Sequence, residues 1–317
     1  MLKTMTARKR ILNQHNSVWL ILIVICLSAL IYKPSFFQYD NINMILRQAA
    51  ALGILTLGHI FVISCGCVDL SLAAMMQMAI AVFMMVIRAG GEGALLPGFL
   101  ASLAVILLVG LINGILVAVC NVQSFLSTLF IGVVLVGLRN VLCGSTPLGV
   151  PPAALINFVK GNGVISNCIY IFLVAAVIAY IVLHRTVFGR RVMMVGVNAT
   201  AAAFSGTKVR RVIILSYCIS AFCAFLAGIV AMGYLGFADQ TSIGDGMEMD
   251  SMVAAVLGGN LLSGGKASVS GAIGGVITMT LMLNIVVLFG LSVEYKYILK
   301  GAILLIVVLA SAKFQKS

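Results

Sequence analysis

Lys266 stands in a run of glycines, GGNLLSGGKAS at 258–268, with a small hydroxyl residue at Ser268. Such a run could wrap a nucleotide's phosphates with backbone N–H groups while a Ser or Thr directly after the lysine holds magnesium. The spacing G-x-x-x-x-G-K-[ST] needs glycine at 260 and a hydroxyl at 267, but the chain has Asn260 and Ala267. Two of the four fixed positions fail, so no nucleotide or magnesium is expected on this chain. Other catalytic chemistry is as sparse. His15, His59 and His184 are scattered, with no Ser-His-acid or metal-ligand spacing. Cys65-x-Cys67 could share a soft metal, yet no His or third thiol stands beside it. No metal is expected, and the cysteines read as small apolar residues.

Three polar features inside or between apolar runs remain. In CGCVDLSLA (65–73), Asp69 can accept bonds from the free N–H groups that open a helix, with Ser71 adding a second polar group. That makes it a helix cap in a tight hairpin, with solute contact and proton coupling as the alternatives. His59 and Asn113 either line a translocation path or hydrogen-bond within a helical bundle, as do Asn140 and Asn284. The third feature is RTVFGRRVMMVGVNATAAAFSGTKVRR (185–211), too polar to cross a membrane. Asn198 is a good N-cap, Ala199, Ala202, Ala203 and Ser205 belong to a short helix of small residues, and Gly206 is a good stop. A smooth ridge of this kind suits close approach by a partner's groove. The alternative is an ordinary basic loop lying on lipid headgroups.

The elements that must position these residues follow from composition. Of 317 residues, 62% are hydrophobic and 9% charged, against about 25% charged in soluble domains. The apolar runs are continuous rather than alternating, which excludes a membrane β-barrel and leaves an all-α integral membrane protein. A span needs about 20 apolar residues. Runs lie near 17–32, 48–66, 70–87, 96–120, 124–143, 164–184, 212–236, 268–290 and 297–312, with a shorter one at 251–262. The first run has no small-residue cleavage site after it and is expected to remain in the chain. The whole of 1–317 reads as a single transmembrane domain.

A net charge of +12 and a pI near 9.6 do not indicate nucleic acid, because the basic residues sit at the ends of apolar runs. They report topology, since cytoplasmic loops are rich in Lys and Arg. Lys3, Arg8, Lys9 and Arg10, then the segment 185–211, then Lys313 and Lys316 mark the inner side. Asp239, Asp245, Glu248 and Asp250 mark 238–250 as outer. Parity then requires about ten spans, with 251–262 crossing and both termini inside.

The residues at this point resemble a known family. DLS at 69–71, VFGRRVMMVGVNATAAAFSG at 187–206, AGI at 227–229 and GGNLLSGGKASVSGAIGG at 258–275 stand in the order and spacing of bacterial sugar permeases. These are the membrane subunits of ATP-binding-cassette (ABC) importers of the ribose, xylose and galactose type. The resemblance implies an ABC importer permease bundle in the bacterial cytoplasmic membrane. It also implies cytoplasmic ABC ATPase subunits that carry the ATP and Mg, an extracytoplasmic solute-binding protein, and a second permease chain. The segment matching 198–206 would be the coupling helix that meets the ATPase. Gly258, Gly259, Gly264 and Gly265 are then expected to form a tight turn, and Gly271 and Gly275 a close-packing helix face. The expected cargo is a small polar solute such as a monosaccharide. The rival is a self-sufficient ion-coupled transporter using Asp69 or His59.

Overall fold

The computed structural model describes residues 34–144 and 146–290, with Tyr295, Tyr297, Ile298, Gly301 and Ala302. The expected first span, 17–32, and nearly all of the last, 297–312, lie outside the described residues. The described residues are all-helical, apart from an isolated bridge between Gly149 and Ala238.

Seven helices are long and apolar enough to cross a membrane. They are α1 (Tyr39–Ser64), α2 (Leu72–Gly90), α3 (Leu95–Ala118) and α4 (Ser124–Cys143), then, beyond the short α5 (Ala153–Lys160), α6 (Asn167–Tyr180). A π-helical turn, Ile181–Arg185, extends α6 to the segment holding α7 (Val187–Val197) and α8 (Ala199–Phe204). The long α9 (Val209–Leu235), the short α10 (Met247–Leu257) and α11 (Val269–Leu288) follow. The helices answer to the continuous apolar runs, because chain crossing lipid must satisfy its backbone polar groups internally. The helix α1 extends its run by nine residues at the N-terminal end, taking in Asp40 and Arg47.

Burial sorts the helices. The most apolar window of α1 is 83% buried, whereas those of α4 and α6 are each 28% buried. The helix α1 is therefore the axis, packed against α9, α11, α6 and α10, while α9 also joins α2 and α3. The outer faces of α3, α4 and α6 present large apolar side chains such as Leu96, Val133 and Val174, as expected of surfaces facing lipid or another apolar chain.

The short run at 251–262, expected to cross, is helical only to Leu257. The helix there is α10, Met247–Leu257, of 11 residues; it rises roughly 16 Å, about half of a ~30 Å hydrocarbon core. The chain from 238 to 265 nevertheless runs from one end of the bundle to the other, about half of it irregular. Ala238 exchanges backbone bonds with Leu148 and Gly149, beyond the C-terminal end of α4 (both 2.7 Å). At the opposite end of the bundle, the Gly265 N–H donates to the Ser64 carbonyl of α1 at 3.0 Å. Between them, Gly244 (φ +86°) and Gly246 (φ +72°) keep the backbone out of a helix until α10 begins. Non-helical backbone at such depth is tolerated only where protein or a cavity surrounds it.

Candidate functional site

The α1–α2 connection is too short to reach past its neighbours, so its polar groups are held inside the bundle. Asp69, Ser71, Asn113 and Ser220 all have 0% exposure. The Ser71 N–H and hydroxyl donate to one Asp69 oxygen, at 3.1 and 2.6 Å, and the Ser220 hydroxyl donates to the other at 2.8 Å. Asn113 donates its amide to the Ser71 hydroxyl at 2.8 Å. The hairpin backbone is tied as tightly. Val68 and Leu70 N–H groups donate to the Ser124 and Thr128 hydroxyls of α4, and the Tyr217 hydroxyl of α9 donates to the Val68 carbonyl. One seven-residue connection, 65–71, thus joins α2, α3, α4 and α9.

This geometry refines the helix-cap reading of Asp69. Its carboxylate accepts from Ser71, the residue just before α2, and α2 has no side-chain cap bond of its own. The second oxygen reaches across to Ser220. In this conformation no solute can touch the carboxylate.

His59 does not join this cluster. It lies in α1, fully buried, with Nδ1 2.9 Å from the Ser251 hydroxyl of α10. The same Ser251 hydroxyl also stands 2.9 Å from the Glu248 carbonyl oxygen. The His59 Nε2 has no partner among the described residues. A path joining His59 to Asp69 is not formed by these side chains.

The segment between α6 and α9 folds as its residues dictate. The Asn198 side chain accepts the Ala201 N–H at 2.9 Å, and Gly206 takes φ +79° after the six-residue α8. Ala199, Ala203, Ser205 and Gly206 are exposed. Ala202 is not: at 2% exposure it packs into this chain's own core, which corrects the expectation that it faces a partner. The 3.6-residue period turns one alanine of the row inward. The outward apolar groups are Phe204, 89% exposed, and Val197, 76% exposed. An unburied phenylalanine beside the alanines was the available signal.

The glycines are contact points. A Cβ on Gly271 would lie 1.9 Å from the Gly258 carbonyl oxygen, and one on Gly275 2.0 Å from that of Ala254, so α10 and α11 touch backbone to backbone. Asn260, in place of a phosphate-loop glycine, closes the turn: its side chain donates to the Ala255 carbonyl and accepts the Ser268 N–H at 2.7 Å. Gly264 and Gly265 meet two other elements. A Cβ on Gly264 would sit 2.6 Å from the Gly66 nitrogen, and one on Gly196 2.4 Å from the Gly265 nitrogen. Gly259 takes positive φ with open space around it. The segment carrying α7 and α8 therefore abuts the end of α1 and the turn before α11. Gly66 and Gly196 were not singled out from sequence.

Beyond the C-terminal end of α9 the chain runs back over α2 and α4. There Asp239 accepts the Thr241 and Ser242 N–H groups and hydroxyls. Burial pushes its carboxyl up, but these hydrogen bonds prevail and hold it down to about 2.

Residues 41–308 match the family model described as branched-chain amino acid transport system / permease component. The chain belongs to this permease family. Similar proteins span nearly the whole permease. The ribose import permease protein RbsC of Bacillus subtilis (strain 168) is 32% identical, with 97% of each chain covered. That of Escherichia coli (strain K12) is 29% identical over 96% of this chain and 95% of its own. The L-arabinose ABC transporter permease protein AraH of Azospirillum brasilense is 29% identical over 94% and 87%. No solved structure matches. The permease is thus of the ABC importer type, and the ion-coupled alternative falls away.

Proposed function

We propose that this permease moves a monosaccharide, a pentose or a hexose, into the cytoplasm by alternating access, paired with a second permease chain. The single observation that carries the cargo is near full-length similarity to permeases named for ribose and L-arabinose. In this reading ATP and Mg are held by cytoplasmic ATPase subunits, and an extracytoplasmic solute-binding protein delivers the sugar. The termini and 185–211 are cytoplasmic and 238–250 is outer, in keeping with the charge distribution.

The ATPase meets the exposed side of α7 and α8: Val197, Ala199, Ala203, Phe204 and Ser205, with the Asn198 cap and Gly206 stop holding their shape. Support comes from a large apolar side chain left in the open on a segment too polar to cross, where an apolar anchor suits a protein partner. Backbone contact then carries displacement of this segment to the Asp69 hairpin.

The test is uptake of labelled ribose and arabinose by vesicles holding the permease, ATPase and binding protein. Uptake should require internal ATP and survive collapse of proton and sodium gradients. Uptake that follows an ion gradient without ATP would overturn the reading.

A further inference from the structure

Arg139 is a basic residue inside the apolar run of α4, and it is only 5% exposed. A buried charge at such a position calls for a role. Its guanidinium donates to Gln77 Oε1 of α2 and, at 2.7 Å, to the Gln240 carbonyl. The remaining bonds go to the Asn140 side chain at 3.0 and 3.2 Å. Gln77 in turn donates to the Thr241 carbonyl at 3.1 Å, and Gln240 to the Gly144 and Thr146 carbonyls. Two helices are thereby fastened to the irregular chain 239–246 through three side chains, with Arg139 at the centre. Every oxygen that Arg139 bonds is neutral.

The fastened chain is built to move. Gly236 stands at its start with φ +77°, and Gly244 and Gly246 stand at its end with φ +86° and +72°. Positive φ costs glycine nothing, so all three can absorb backbone rotation. Cavities lie on both sides. One of about 310 Å³ lies between the chain, α2 and α4, lined by Leu70, Ala74, Gln77, Gly132, Val133 and Asp245, and it opens sideways on the exposed face of α4. Another of about 530 Å³ lies towards α1, α9 and α11, lined by Gln48, Tyr234, Asp245 and Asn284 among others. Asp245 borders both, so the chain is a thin partition with space to enter either way. The smaller cavity leads down to Leu70, next to the Asp69 cluster.

We propose that Arg139 is the latch of an outer gate: it holds residues 239–246 across the mouth of the smaller cavity, and solute enters when the latch lets go. The proposal rests on the importer reading for the direction of entry. Neutral hydrogen-bond partners suit a latch, because hydroxyl groups of a polyol, or water, can replace them, while Asp239 and Asp245 attract the guanidinium only through space and help to draw the chain back. Arg139 positions the gate and need not touch the solute.

The test reads the gate without solute. In the full chain with its native cysteines replaced, Ala74→Cys places a thiol in the smaller cavity, where Ala74 is 9% exposed. An impermeant maleimide is applied to the outside of intact cells that also express the partner subunits. Labelling should be slow in the parent and about tenfold faster with Arg139→Gln, since losing a charge-assisted bond shifts a two-state balance by that order. Gln77→Met should act in the same direction, and Arg139→Lys should fall between parent and Arg139→Gln. Unchanged labelling in well-expressed Arg139→Gln or Gln77→Met chains would overturn the latch. So would loss of folded chain in both, which makes the network a requirement of the fold rather than a releasable bond. If ribose and arabinose uptake fails while labelling responds, the cargo reading falls and the latch stands.

Discussion

Gly196 of α7 lies against Ser64 of α1 so closely that a Cβ on Gly196 would come 1.9 Å from the Ser64 carbonyl oxygen. That oxygen already accepts the Gly265 N–H at 3.0 Å. Three elements far apart in sequence meet here with no side chain between them. Side chains can change rotamer under load, whereas touching backbones move together.

Gly196→Ala is expected to push α7 from this junction and destabilise the permease by about 1–3 kcal/mol, the range for overpacking. Gly206→Ala is the comparison: a Cβ there meets nothing within 4 Å, but φ is +79°, so only conformational strain of about 1 kcal/mol applies. Thermal unfolding of the purified proteins in detergent separates them. Equal losses would show that the junction yields without strain.

Ala202→Glu should lower folded yield of the permease itself, because the 2%-exposed site offers a carboxylate no water. Phe204→Ser should leave yield unchanged and stability within about 0.5 kcal/mol of the parent, as usual for surface changes, while weakening ATPase association. Co-purification of permease and ATPase measures it. Normal assembly and uptake with Phe204→Ser would remove α8 from the interface.

Ser220→Ala removes the only hydroxyl from α9 that bonds Asp69. We expect a loss of roughly 1–3 kcal/mol, the range for leaving a buried acceptor unsatisfied, and a much smaller loss when Asp69 is already Ala. A double-mutant cycle on unfolding in detergent gives the coupling directly. Additive losses would mean the 2.8 Å contact contributes nothing.

Asp239 gives a pH dependence of known sign. Its folded-state carboxyl lies at about 2, below the ordinary aspartate value of 3.8. The contribution to stability is thus present above about pH 4 and is lost as pH falls towards 2. Protection of the 239–246 amides, measured relative to their intrinsic exchange rates at each pH, should fall through that window. Asp239→Asn should flatten the change, and an unaltered acid response would assign it to another group.

Residues Ser124–Cys143 read the same in sequence and structure, because a long apolar run has one way to satisfy its backbone in lipid. The Asn198 cap and Gly206 stop were also legible, being bonds between residues a few positions apart. The end of α10 was not: Val256, Leu257, Leu261 and Leu262 continue an apolar run, yet the helix stops at Leu257. There Gly258 packs on Gly271 and Asn260 bonds across to Ser268. Ala202 looked like its neighbours until the packing of α8 turned it inward.

Sequence alone determined the membrane class, most of the spanning helices and the permease family, since each depends on local composition or the order of short motifs. Only the tertiary structure decided that Asp69 bonds Ser220, that His59 stands apart with Ser251, that Arg139 fastens residues 239–246, and that Gly196 touches Ser64. The reason is physical: these partners are separated by 100 residues or more. Their meeting depends on the rotation and depth of whole helices, which no local pattern of polar and apolar residues specifies.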